Sequence, residues 1–328
     1  MRVLVTGATS LIGGGVARAL VERGDAVVCL QRAASDVSGA TDVRGDVRDL
    51  DVVLEAASGC DAVVHAAAKV GVVGPWEEYR SVNVDGTANV LGAALAEGIP
   101  RVVHVSSPSV AHGGEAIVGG AADPPVLGRT RAWYPESKAL AEIAALAAAS
   151  PDLGVVAIRP HLVWGPGDTQ LVGRIVDRAR TGRLALVEGG RALVDTTYID
   201  NAVGALVAAL DAILPDAACS GRAYVVANGE PRTIRELVAG ICAAAGVPFA
   251  PRDVSLRAGI AAGVLVERAW PLLRRSDEPP LTRFLAEQLG TAHWFDPRPA
   301  RDDLGWEPDV TIDEGLRRLA DWFDGAAS

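Results

Sequence analysis

Tyr134-Pro135-Glu136-Ser137-Lys138 sets a phenol and an ammonium four residues apart. On a helix, positions i and i+4 share a face. An ammonium beside a phenol favours the phenolate, so the pair can give or take a proton nearer neutral pH than a free tyrosine. Lysine is scarce: of 31 basic residues only Lys69 and Lys138 are lysines. A lysine kept in an arginine-rich chain points to a task for a compact ammonium of adjustable pKa. Nearby, Ser106-Ser107-Pro108-Ser109 closes a stretch that reads as a strand. A hydroxyl at the carboxyl end of a strand can hold a substrate oxygen beside the tyrosine. Ser107 is the first choice and Ser106 the second; a turn serine before proline is the bland alternative. The chemistry these residues could do is proton transfer to or from a carbonyl or alcohol oxygen.

A second group of residues could hold a phosphate. Residues 3–6 run into Gly7-Ala8-Thr9-Ser10-Leu11-Ile12-Gly13, and a helix follows. Glycines let the backbone turn and approach a pyrophosphate, and the helix start supplies N–H groups and a favourable dipole. Gly7, Thr9, Ser10, Leu11, Ile12 and Gly13 are therefore candidate cofactor contacts. Ser10 stands where such loops usually carry their middle glycine. About 20 residues further, NAD-binding folds place an acid on the ribose hydroxyls. Here the second strand ends Cys29-Leu30-Gln31-Arg32. The missing acid and the guanidinium of Arg32 favour NADP(H). Asp46 follows the third strand as an adenine-edge contact or, equally, a helix N-cap. Ala66 and Ala67, after His65, are small enough to let backbone approach the cofactor. Lys69 can reach a phosphate or a substrate acid, or be solvated.

These residues need elements to position them. Strands are expected at 2–6, 26–30, 62–65, 101–106 and 155–159, and helices at 14–23, 50–57, 79–97 and 135–149. Near-continuous apolar strands alternating with helices imply a doubly wound parallel α/β sheet covered on both faces. Past Arg159 the alternation loosens. Residues 160–195 read as Gly-rich loop, 200–211 as helix, 223–227 as strand, and the remainder as short helices and Pro-rich turns. The expected division is a dinucleotide-binding domain of 1–165 with 196–228, and a smaller, mainly helical substrate lobe of 166–195 with 229–328. Residues 258–273 are apolar between charged ends. They read either as a buried core helix or as an amphipathic wall for an alkyl chain, able to touch a membrane surface.

Composition limits the classes. The 328 residues are 49% hydrophobic and 22% charged, which is globular rather than disordered. A net charge of −10 lacks the basic footprint of a nucleic-acid binder. Four scattered cysteines, without CxxC or histidine at ligand spacing, argue against a metal site and fit a reducing compartment. No apolar run is long enough to span a membrane, and the start lacks a signal-peptide pattern.

Together, Thr6-Gly7 with Gly13, Asp46-Val47, His65-Ala66-Ala67, Asn83 with Gly86-Thr87, Ser106-Ser107, Tyr134 with Lys138, Arg159-Pro160, Gly165-Pro166-Gly167-Asp168 and Tyr198-Ile199-Asp200 resemble the extended short-chain dehydrogenases/reductases. Within that superfamily the likeness is to the branch of epimerases and 3β-hydroxysteroid dehydrogenases. The resemblance implies a Rossmann sheet, Val47 and Pro160 among the cofactor contacts, and Lys138 on the nicotinamide ribose. It also implies that Ser107 polarises a carbonyl together with Tyr134. The far half, at 195–201, 228–231, 270–273, 278–289 and 293–295, is similar to bacterial reductases of long-chain olefin biosynthesis. That likeness implies NADPH-dependent reduction of a β-keto acid carrying two long alkyl chains. It implies as partners a condensing thiolase-like enzyme and a β-lactone synthetase. A homodimer in the cytoplasm is expected, in an assembly able to touch a membrane. Ser107 departs from that branch, where threonine is expected; either hydroxyl can hydrogen bond. Lys69, Arg129 and Arg131 are the candidates for the substrate carboxylate. Other readings stay open: a 3β-hydroxysteroid dehydrogenase-like enzyme, a nucleotide-sugar epimerase, or a non-catalytic NADP(H)-sensing regulator, a class that tends to lack the Tyr/Lys pair.

Overall fold

Seven parallel strands form the main sheet: β1 Arg2–Thr6, β2 Ala26–Gln31, β3 Thr41–Arg44, β4 Ala62–His65, β5 Arg101–Val105, β7 Gly154–Pro160 and β12 Arg222–Val226. Their order is β12-β7-β5-β4-β1-β2-β3. The computed structural model describes residues 1–71, 74–112, 114–128, 132–270 and 282–327. The central strands are apolar because helices cover both faces; every residue of β7 is buried. On one face, α1 Leu11–Glu22 and α7 Ile199–Ala212 pack with Val16, Leu20, Leu206 and Leu210 into the core. On the other lie α2 Leu50–Ala57, α4 Gly86–Ala96 and α5 Trp133–Ala147. Strand order reverses between β1 and β4, and crevices for ligands open outside the carboxyl ends of strands at such a point.

The smaller lobe has its own sheet, ordered β13 Arg232–Thr233, β10 Leu193–Val194, β15 His293–Phe295 and β6 Ile117–Gly120. Two short pairs join β8 Val163–Trp164 to β11 Thr197–Tyr198 and β9 Ala185–Val187 to β14 Arg252–Val254. Helices α6 Val172–Arg180, α8 Ile234–Ala244 and α12 Ile312–Ala327 pack around Ile175, Val176, Leu237 and Ile241. Two further helices, α9 Leu256–Ala269 and α10 Arg283–Gly290, pack on each other, and α11 Arg298–Leu304 returns to the large core.

Four features differ from the sequence reading. The stretch expected as loop contains α6, whose Val172, Ile175, Val176 and Ala179 recur at helical spacing and are buried. Residues 117–120, expected in the dinucleotide domain, leave it and pair with β15. The single helix expected over 79–97 is three pieces: α3 Trp76–Tyr79, a π-helical stretch Arg80–Asp85, then α4. Finally, 258–273 is no core helix over its described part. In α9 only Gly259 and Gly263 are buried, and Leu265 is 67% exposed. Gly263 allows close packing: a Cβ there would lie 2.5 Å from the Thr282 backbone.

No helix among the described residues is long and apolar enough to cross a membrane. All four cysteines are free and buried.

Candidate active site

The glycine turn is held by backbone contact. Gly7 takes φ +74°, and a Cβ there would lie 2.7 Å from the backbone of Ala67. A Cβ on Gly13 would lie 2.4 Å from the Gly7 carbonyl oxygen. Ser10 costs this loop nothing: its φ of −82° suits any L residue. Its hydroxyl accepts from the Gly13 N–H at 3.0 Å and donates to the Gly7 carbonyl at 2.8 Å, which makes it the N-cap of α1. Thr9 and Ser10 are exposed, and Leu11 and Ile12 half-buried, around that helix start.

A chain of buried hydrogen bonds ties this turn to α5. Thr87 Oγ1 donates to the Asn83 carbonyl at 2.6 Å, so it can only accept from His65 Nε2 at 3.0 Å. His65 is therefore the Nε2–H tautomer, and its Nδ1 accepts from Thr6 Oγ1 at 2.7 Å. Thr6 Oγ1 accepts in turn from the Ala67 N–H at 3.1 Å. Burial pushes the His65 pKa down to about 3, with the Lys138 charge adding to it, so the ring stays neutral. Asn83, inside the π-helical stretch, donates to Ser137 Oγ at 2.8 Å and to the Lys69 carbonyl at 3.0 Å. Asn83 carried no role in the sequence reading; its only signal was its place in a family mark. The extra residue of a π-turn is what re-aims it, and such turns are frequent at functional sites.

At the ends of β2 and β3, Asp46 binds Arg48 through Nε at 2.9 Å and Nη2 at 2.7 Å. Arg48, with help from Arg32, holds the Asp46 carboxyl below its usual range. The N-cap of α2 is Asp49, which removes that duty from Asp46. Val47 is a core side chain, and its carbonyl accepts from Asn89 at 2.9 Å. Arg32 is exposed and makes no ion pair among the described residues. Lys69 is half-buried, and its ammonium lies 2.7 Å from Glu78 and over the Tyr79 ring.

Tyr134 and Lys138 both sit in the first turns of α5, as the spacing requires. Lys138 is buried, and its Nζ donates to the Val105 carbonyl at 2.6 Å. Burial lowers its pKa to about 8. Tyr134 differs from expectation. Burial raises its phenol, and the lowering influence is a hydrogen bond with Ser107 rather than the Lys138 charge. Ser107 caps a 3-10 turn, Pro108–Ala111, and its hydroxyl is 2.9 Å from that of Ser109. The two serines are placed differently: Ser107 lines the cavity, whereas Ser106 Oγ is buried with no partner among the described residues.

That cavity, about 170 Å³, is shared by Ser107, Tyr134 and Pro160. Ile117, Leu162, Phe284 and Phe295 give it apolar walls. Three histidines, His112, His161 and His293, complete it. The sequence reading had no role for them, because they lie on separate elements. Rings of His112 and His293 meet edge-on at 4.9 Å, and His161 contacts Phe295 at 5.0 Å. Among the described residues no cluster of histidine, cysteine, aspartate or glutamate is arranged to hold a metal. Arg129, Arg131 and the marks at 271–273 and 278–281 lie outside the described residues.

Comparison with known proteins agrees with this geometry. Residues 4–254 match the 3-beta hydroxysteroid dehydrogenase/isomerase family. A 2-alkyl-3-oxoalkanoate reductase of Stenotrophomonas maltophilia is 48% identical, covering 97% of this chain and 98% of its own. A protein of the same name from Shewanella oneidensis is 39% identical, over 96% and 84%. Among solved structures, MoeE5 in complex with UDP-glucose and NAD superposes with a TM-score of 0.77 at 26% identity, over the full length of both chains. The chain is an oxidoreductase of the 3-beta hydroxysteroid dehydrogenase/isomerase family, within the extended short-chain dehydrogenases/reductases.

Proposed function

We propose that this chain reduces the ketone of a long-chain 2-alkyl-3-oxoalkanoate to the 2-alkyl-3-hydroxyalkanoate, with NADPH. The observation that carries the reading is 48% identity along nearly the whole chain to a reductase of that name. The cavity supports it. A ketone between alkyl chains needs hydroxyls at its oxygen and apolar walls around the rest, and Ser107, Tyr134, Ile117, Phe284 and Phe295 supply them. A nucleotide sugar would need cations for its pyrophosphate, and no lysine or arginine among the described residues lines this cavity.

When bound, a nicotinamide dinucleotide would supply the hydride. The residues fit such a group. Gly7 and Gly13 keep the turn clear where side chains would fill it, and the Leu11 and Ile12 N–H groups at the start of α1, unlike that of Gly13, meet no acceptor among the described residues. Arg32 and Arg48 flank Asp46 where β2 and β3 end, which favours a 2′-phosphate over a bare ribose. Ser107 and Tyr134 hold the substrate oxygen between their hydroxyls. Tyr134 gives its proton to that oxygen as charge develops there, and Ser107 donates a hydrogen bond. Lys138, one helical turn along α5, steadies the tyrosinate left behind. In this reading a thiolase-like condensing enzyme supplies the keto acid and a β-lactone synthetase consumes the alcohol, on the way to a long-chain olefin.

The reaction is best tested backwards, since β-keto acids lose CO₂ readily. Purified protein with a synthetic long-chain 2-alkyl-3-hydroxyalkanoic acid should reduce NADP⁺ readily and NAD⁺ poorly. No turnover with either, in protein that binds NADPH, overturns the substrate reading.

A further inference from the structure

We propose that His112 receives the substrate carboxylate and so selects a β-keto acid over a plain ketone. The inference rests on the function proposed above. It starts from a buried group without a partner. His112 is 4% exposed, and both its ring nitrogens are buried with no hydrogen-bond partner among the described residues. Buried polar groups are nearly always paired, so an imidazole with two open positions on a cavity wall calls for a ligand that completes it.

Position makes the ligand's chemistry specific. Ser107 and His112 are the two ends of one 3-10 turn, so the hydroxyl that faces the ketone and the imidazole move as one unit. Both line the same cavity. At about 170 Å³ it is smaller than the roughly 300–1,000 Å³ of sites that enclose a whole drug-sized ligand. It can hold the reacting head, from which alkyl chains must leave. In a β-keto acid a single carbon separates the ketone from the carboxylate. With the ketone on Ser107 and Tyr134, the carboxylate must fall inside this cavity.

Among the described residues no lysine or arginine lines the cavity. Lys69 is paired with Glu78, and Lys138 with the Val105 carbonyl. The other two histidines of the wall each have a bond of their own. His161 Nδ1 is hydrogen bonded to the Asp195 carbonyl, and His293 Nε2 meets Thr291 Oγ1 at 2.9 Å. His112 alone of the three has both nitrogens open among the described residues. The charged and titratable groups facing it are Glu287 on α10, His293 on β15 and His161 beyond β7. In the ligand-free cavity burial disfavours its protonation, while Glu287 supports it. A carboxylate beside the ring adds to that support, and a charge-assisted hydrogen bond results.

The test compares a 2-alkyl-3-hydroxyalkanoic acid with its methyl ester, which keeps the alcohol and removes the charge. Wild type should prefer the acid. In His112→Leu the acid-over-ester ratio of kcat/KM should fall about tenfold or more, through KM for the acid, with NADPH titration little changed. In His112→Gln, which keeps a donor without a charge, the ratio should fall by about threefold or more. An unchanged ratio in folded His112→Leu overturns the assignment while leaving the proposed reaction intact. If the leucine variant does not fold, an unchanged ratio in His112→Gln overturns it instead. A wild type that turns over neither compound overturns both proposals at once.

Discussion

The turn between Gly7 and Gly13 and the cavity around His112 lie side by side, yet they are built differently. In the turn, backbone meets backbone: Gly7 against Ala67, and Gly13 against the Gly7 carbonyl. Its parts are close in sequence, apart from Ala66 and Ala67 just after β4. The cavity is made by side chains from five separate segments: Ser107 to Ile117, Tyr134, Pro160 to Leu162, Phe284 to Gln288, and His293 to Phe295. A site made of backbone tolerates few residue types, whereas a site made of side chains can be re-specified one residue at a time. That difference suits a superfamily with one cofactor chemistry and many substrates.

Predictions can break or sharpen the contrast. The largest effect belongs to the point where the regions meet. Tyr134→Phe should cut turnover by about 10²–10⁴-fold and leave dinucleotide affinity within about twofold. Near wild-type rates would separate the cavity from the chemistry.

Next comes the buried pair behind it. Arg159 Nε donates to Glu142 at 2.8 Å, and its Nη1 donates to the Asp123 carbonyl at 2.8 Å, so β7, α5 and the chain leading on from β6 share one charge. Glu142→Gln strands that guanidinium and should cost about 3–5 kcal/mol in denaturant unfolding. A loss below 1 kcal/mol would mean that the two regions are not joined there.

Stability should also fall with acid. Burial depresses all five histidines, with His65 and His293 at about 3 and His161 at about 4. The unfolded chain therefore binds protons that the native chain refuses, and stability drops as pH falls below about 6.5. Asp195, pushed up to about 7 by burial, offsets one proton over part of that range, since its native form holds a proton that the unfolded form has lost. Unfolding free energies from urea titrations at pH 7.5 and 5.5 should differ by an amount on the order of a few kcal/mol, and a flat profile would contradict the burial.

Smaller effects are expected in the turn region. Arg32→Ala should weaken NADPH by about tenfold and NADH by less than twofold, read by fluorescence titration; equal losses would remove Arg32 from the 2′-phosphate. Ser10→Ala should cost about 1 kcal/mol through the lost cap, measured by thermal unfolding, with Ser10→Gly costing only a few tenths.

The alternation of apolar strands and helices, the glycine turn and the Tyr134/Lys138 spacing were legible in the chain because each is a local pattern with a fixed period. That Ser107 and not Ser106 lines the cavity is a matter periodicity alone does not decide. The sequence did not reveal the π-turn at Asn83, the partnering of Lys69 by Glu78, or the departure of residues 117–120 to a second sheet. Nor could it choose between a buried and an amphipathic helix over 258–273, because that depends on which segment meets α9 at Gly263. The Tyr134 phenol is raised rather than lowered because burial, a property of the whole fold, outweighs a neighbour inferred from spacing. The histidines teach the same lesson most plainly. Residue order determined that the chain carries them; only tertiary packing brought three of them to one wall, because side chains on separate elements meet only when the long-range contacts form.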